Sequence, residues 1–376
     1  MINKGFPKAI ATLCGTVIGA GVLGLPYVFQ KAGFLTGVLD IIVLGLAVMM
    51  LNLFIGEIVL RTPGNHQLPG YANIYLGKWG KSIMMASLLF GVYGALIAYI
   101  IGEGRALSAI FGGSPMLFSL IFFAIVSILV FIGLKAITKS ELIFASSVLV
   151  LILVMGLFAI LKGDFNIGNL AEFNLMKLAI PYGVVLFSFV GGVAVPEMKE
   201  CLIYKKHKLK KAVIIGSLIP LAAYIIFAAI TIGITGANTT EISTIGLGQA
   251  LGKEMIIFGN LFAALAMFTS SLTLALAMKE IYHFDFKIQK TIAWVLTMTI
   301  PLLIFLSGAK SFINVIGMTG AFAGGIDGIL IVLIFWKARK KKLRVPEYNL
   351  GRNTLIGALL ILIFTLGILY QLFNLF

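Results

Sequence analysis

The chain has 376 residues, of which 60% are hydrophobic and only 11% charged, and it carries a formal net charge of +15. Apolar runs of membrane-spanning length recur from end to end, which excludes a soluble globular domain and implies an all-α polytopic membrane protein. Cys14 and Cys201 lie far apart without a partner at metal-ligand spacing, and His66, His207 and His283 sit singly in polar connections, so neither a metal centre nor a disulfide framework is expected.

Reading apolar runs of roughly 18–25 residues as spans predicts about eleven helices. They fall over 7–31, 35–60, 83–111, 116–134, 141–162, 178–199, 212–235, 255–279, 290–307, 311–336 and 353–373. The first follows Lys4 and Lys8, as the apolar stretch of a signal peptide would. It runs on to about Gln30 without a small-residue cleavage site and so reads as a membrane helix.

Eleven spans place the termini on opposite sides of the membrane. With the N-terminus in the cytoplasm and the C-terminus outside the cell (inner) membrane, Lys31, Lys162, Lys177, Lys253 and Lys310 fall outside and Arg105 within a helix. The rest of the 29 Lys and Arg then face the cytoplasm, as the positive-inside rule requires. The clusters Lys205, Lys206, Lys208, Lys210, Lys211 and Lys337, Arg339, Lys340, Lys341, Lys342, Arg344 adjoin spans. They read as anchors beside anionic headgroups, not as a nucleic-acid site.

The first span contains Gly15-Thr16-Val17-Ile18-Gly19-Ala20-Gly21-Val22-Leu23-Gly24-Leu25-Pro26. Each interior Gly costs a helix about 1 kcal/mol relative to Ala and a Pro about 3, so a break near Gly19 to Gly21 is expected. Gly15 and Gly19 alone would suit tight helix packing, but Gly21, Gly24 and Pro26 exceed what packing needs. The sixth span repeats the device as Phe187-Ser188-Phe189-Val190-Gly191-Gly192-Val193-Ala194-Val195-Pro196-Glu197.

Five spans separate the two breaks, and an odd repeat inserts its halves in opposite orientation. Inverted repeats over about 7–162 and 178–336, with an extra helix over about 353–373, place a small-molecule site at the midplane. Unwound backbone is tolerated there because it lines a cavity. Free N–H groups at half-helix starts suit a carboxylate, exposed carbonyls suit an ammonium, and a zwitterionic amino acid meets both demands.

At these residues the sequence resembles the amino acid/auxin permease family and the related hydroxy and aromatic amino acid permeases, within the amino acid–polyamine–cation superfamily. That resemblance implies the LeuT-type fold with helices 1 and 6 broken. It implies that backbone around Gly19, Ala20 and Gly21 receives the substrate carboxylate, and that the ammonium faces carbonyls of the first span and of Phe187 and Ser188, beside Gly191. Tyr99 of the third span would cover the substrate.

In the eighth span, Ala266, Thr269 and Ser270 stand at i, i+3 and i+4 and share a helix face. The resemblance implies a sodium site formed by the carbonyls of Gly15, Ile18 and Ala266 and the hydroxyls of Thr269 and Ser270, all neutral oxygens suited to a hard cation. Membrane Ser and Thr also commonly bond their own i−4 carbonyl. Proton-coupled relatives can carry a lysine in the fifth span, and 141–162 has no basic residue in its interior. Sodium is therefore favoured over the proton, and no cofactor is expected.

Ionisable groups within spans are functional candidates by default. Glu103 and Arg105, two residues apart, point to nearly opposite sides of a helix and need separate partners. Asp327 lies near mid-membrane and suits either a proton-carrying or gating role or a structural one. Glu197, after Pro196, is a candidate for an inner gate or a packing contact; Asp40 and Glu57 read as structural. No zinc-protease, serine-hydrolase or paired-aspartate motif is present, so an enzyme is not expected. The sequence thus implies a secondary transporter of neutral, hydrophobic or aromatic amino acids. A polyamine or nucleobase carrier, or a non-transporting sensor, is the alternative on the same fold.

Overall fold

A computed structural model describes residues 5–133, 150, 154, 156–158, 161, 165–284 and 286–373. The described residues form helices and short helical turns without a strand. Among the described residues, seven helices are long and apolar enough to cross a membrane, and the bent pair Gly5–Val17 and Ala20–Ala32 makes an eighth. Lys290–Leu306 is a shorter apolar helix, and the sixth segment consists of two eight-residue helices, Tyr182–Phe189 and Ala194–Cys201. Most of the fifth segment, 141–162, lies outside the described residues, including much of the interior that carries no lysine.

The segments pack in two groups. The first, second, sixth and seventh contact one another, and the third, fourth, eighth and ninth form the other set. The tenth touches the second and third and the first half of the sixth, while the eleventh, Thr354–Phe373, packs on the tenth. The eleventh exposes Leu355, Leu359, Leu362 and Leu366, as a helix at the lipid boundary does.

Two connections hold helix that the hydropathy reading left as loop. The third segment begins early, as Leu68–Phe111 with a turn at Gly77 (φ 76°, ψ −165°), a left-handed backbone that favours glycine. Ahead of that turn Leu68, Tyr71, Ala72 and Tyr75 are buried. Their i, i+3, i+4, i+7 spacing is that of an amphipathic helix, too short and too polar to register as a span. The second is Ser243–Leu251, between the seventh and eighth segments.

Glu57 organises one end of the bundle. It is fully buried, and its Oε1 lies 2.7 Å from Arg61 Nη2 and 2.8 Å from Arg339 Nη1. The Leu350 N–H donates to its Oε2 at 2.7 Å, and Tyr348 donates to the Leu53 carbonyl at 2.6 Å. The turn joining the tenth and eleventh segments is thereby fixed to the second. In that turn burial opposes ionisation of Glu347, but the Arg344 guanidinium outweighs it and holds the carboxyl below its ordinary range.

Candidate functional site at two broken helices

The helix Gly5–Val17 ends where Gly19 turns extended (φ −132°, ψ −159°), and Ala20–Gly24 continues as a 3₁₀ turn into Leu25–Ala32. The bend between the two pieces is 47°. The break thus falls at the glycines where the sequence predicts it. Ala20 and Gly21 open the 3₁₀ turn, and the first N–H groups of any helical segment have no acceptor within it. Among the described residues, none comes within 4 Å of where a side chain on Gly19 would begin.

In the sixth segment Val190 leaves the helix (φ −59°, ψ 111°), and Ala194 starts the second piece after Gly191 and Gly192. The two breaks are neighbours. A Cβ on Gly21 would lie 2.7 Å from Ser188 Oγ and 2.9 Å from Ser188 Cα, and one on Gly191 would strike Val17. Glycine at each position is therefore required by close approach of the chain, not by backbone angle. The Ser188 hydroxyl donates to the Val184 carbonyl at 2.8 Å, so its own helix occupies it, while Phe187 is half-buried beside Gly21.

The eighth segment meets the first at the turn Ala20–Gly24. Thr269 donates to the Leu265 carbonyl at 3.0 Å and lies 3.2 Å from the Ala266 carbonyl. This i−4 bond engages its proton and leaves its lone pairs free. Ser270 faces the buried Tyr99 phenol, which brings the third segment to the same helix face. Gly15 and Ile18 are buried near the end of the first helix, and the Ile18 N–H donates to the Cys14 carbonyl at 2.8 Å.

The charged candidates separate. Arg105 donates to Glu241 at 2.6 Å and to the Lys310 carbonyl at 2.7 Å. Glu241 also accepts from the Ser311 hydroxyl and the Phe312 N–H, so the third segment, the 236–252 connection and the start of the tenth are joined there. Ser243 of that connection donates to the Leu23 carbonyl in the first segment's 3₁₀ turn. Glu103 is buried, with an Oε2 that has no hydrogen-bond partner among the described residues. Asp327 follows a π-helical turn, Gly320–Gly324, and its Oδ1 has no hydrogen-bond partner among the described residues, while the Ser87 hydroxyl donates to the Ala323 carbonyl of that turn at 3.1 Å. Glu197 is exposed. None of these four supplies the atoms nearest Gly21, which belong to Ser188 and Phe187.

Sequence reasoning missed Tyr224, Glu241 and Ser243, which lie outside any motif and are brought in by packing. An apolar cavity of about 400 Å³ between the third and tenth segments, lined by Ile83, Ser87, Phe90, Met318, Phe322 and Ile326 among others, includes neither break. Its walls offer almost nothing to a charged ammonium or carboxylate.

The tryptophan/tyrosine permease family model matches residues 3–373. The chain is 25% identical to "Glutamine transporter 2" of Aliivibrio fischeri, over 94% of each chain. It is 27% identical to "Tyrosine-specific transport system 1" of Haemophilus influenzae, over 95% of this chain and 93% of that one. Among solved structures it superposes on MhsT in complex with L-phenylalanine, with a TM-score of 0.70 and 15% identity, over 99% of this chain and 98% of that one. That likeness shows the LeuT-type fold expected from the sequence. The family match carries the aromatic-permease part of the resemblance, and it covers both broken segments and the eighth: this chain belongs to the tryptophan/tyrosine permease family.

Proposed function

We propose that this protein is a secondary active transporter that carries neutral amino acids, hydrophobic or aromatic ones foremost, across the cell (inner) membrane. The observation that carries this reading is the contact of the two broken segments at Gly21 and Ser188, in a chain of a permease family. The freed N–H groups at Ala20 and Gly21 suit a carboxylate, and the carbonyls at the ends of the two first halves suit an ammonium. The tyrosine-specific relative and the phenylalanine bound to the structural neighbour support an aromatic side chain. The glutamine transporter among the relatives is the reason to keep polar neutral amino acids in the test.

Transport runs by alternating access, with the repeats 7–162 and 178–336 rocking about the breaks while the eleventh helix stays outside the repeat. The N-terminus is cytoplasmic. Sodium, favoured over the proton, couples through Gly15, Ile18, Ala266, Thr269 and Ser270. Support for this comes from the common face of the last three and from the lone pairs left on Thr269. Asp327 and Glu103 are the carboxylates a proton-coupled cycle would use instead.

The test is thermal unfolding of the purified protein in detergent with a panel of ligands. Stabilisation by tryptophan, tyrosine, phenylalanine or leucine, enhanced by sodium, is expected. Stabilisation confined to spermidine or to nucleobases would replace this reading with the corresponding alternative, and ligand stabilisation without uptake would mark a sensor.

A further inference from the structure

The helices Gly5–Val17 and Tyr182–Phe189 both stop at a break. The last carbonyls of a helix lack the N–H four residues on that would have bonded them. Val17 and Ser188 are two such carbonyls, because Gly21 and Gly192 lie beyond the respective breaks. A single group serves both: the Tyr224 hydroxyl lies 2.8 Å from the Val17 carbonyl oxygen and 3.0 Å from that of Ser188. Tyr224 is fully buried in the helix Leu209–Thr235. Its ring stands against Phe189 with centroids 5.3 Å apart and planes at 62°, so the hydroxyl is held in place from the side.

Each helix C-terminus carries the equivalent of about half a negative charge. Two of them meeting inside an apolar bundle make a spot that requires a cation or a hydrogen-bond donor, since an unpaired buried carbonyl is costly. A phenol brings one proton to two acceptors. It meets that requirement without a net charge and leaves carbonyl lone pairs for a further donor.

We infer that Tyr224 is a positioning residue whose hydroxyl stands in for a cation between the two broken helices, joining their ends and leaving lone pairs there for the substrate ammonium. The ammonium part of this inference rests on the transport reading above; the cation part does not. Tyr224→Phe keeps the ring and its packing on Phe189 and removes only the donor. The exposed pair of carbonyls is then open to a monovalent cation.

The experiment measures binding of radioactive sodium to purified protein by scintillation proximity, alongside amino acid uptake as a function of sodium. The Phe variant is expected to bind an additional sodium ion per chain. It should show a KM for the amino acid raised roughly ten-fold at low sodium, the equivalent of one lost hydrogen bond, and recovering as sodium rises. Should the Phe variant not fold, Tyr224→Met gives the same donor-free comparison. Equal sodium binding in donor-free and wild-type proteins would overturn the inference. Absence of amino acid uptake by the wild type would instead count against the transport reading and leave the binding comparison decisive for Tyr224.

Discussion

Gly21 of the first broken helix stands directly on Ser188 of the second, so close that a methyl group on Gly21 would lie 2.9 Å from the Ser188 Cα. Real Cβ atoms do not approach backbone at that distance, so any side chain at 21 must push the two breaks apart. Gly21→Ala should cost about 1–3 kcal/mol of overpacking and depress uptake, and Gly21→Leu should abolish uptake. Full uptake by the leucine variant would remove Gly21 from the site.

Gly19, two residues earlier, has the opposite surroundings. Among the described residues, none lies within 4 Å of where its side chain would begin, and its φ of −132° suits any residue. Gly19→Ala should therefore fold with a melting temperature within a few degrees of wild type. If the open space is the substrate's, the added methyl raises the KM for uptake while leaving stability alone. Unchanged KM together with unchanged stability would assign that space to solvent or lipid.

The contrast between these two glycines also marks the reach of the sequence. Gly/Pro density located both breaks, because helix propensity is a local property and four glycines with a proline in twelve residues offset it visibly. What lay across each break was invisible. Tyr224 is one of eleven tyrosines, and only the packing of the seventh segment on the first and sixth gives it two backbone acceptors. Arg105 was legible as a charge in need of a partner, but Glu241 is 136 positions away, beyond any periodicity. The π turn before Asp327 and the amphipathic Leu68–Gly77 piece escaped because span-finding weighs hydropathy over long windows and averages such local features away.

Thr269→Ala removes one hydroxyl of the proposed sodium site and at the same time one i−4 bond to Leu265. The second loss is minor, since that bond duplicates an acceptor already used by the helix. The expected result is a sodium dependence of uptake shifted to higher concentration, with Ser270→Ala behaving alike. Sodium activation identical to wild type in Thr269→Ala would exclude this residue as a ligand.

Glu57 joins Arg61 and Arg339 in a fully buried position. Replacing one partner of such a network leaves the others uncompensated, at a typical cost of about 3–5 kcal/mol. Glu57→Ala should lower the unfolding temperature of the purified protein markedly and loosen the turn that carries Tyr348 and Leu350. A melting curve superimposable on wild type would show that the two arginines find other partners, and that the turn is not held through this carboxylate.

Uptake of radiolabelled tryptophan, tyrosine, phenylalanine and leucine into proteoliposomes, under an inward sodium gradient and separately under an inward proton gradient, tests the central claim most directly. Accumulation above the external concentration driven by sodium, and lost in Gly21→Leu, is the predicted result. No accumulation of any neutral amino acid under either gradient would contradict it.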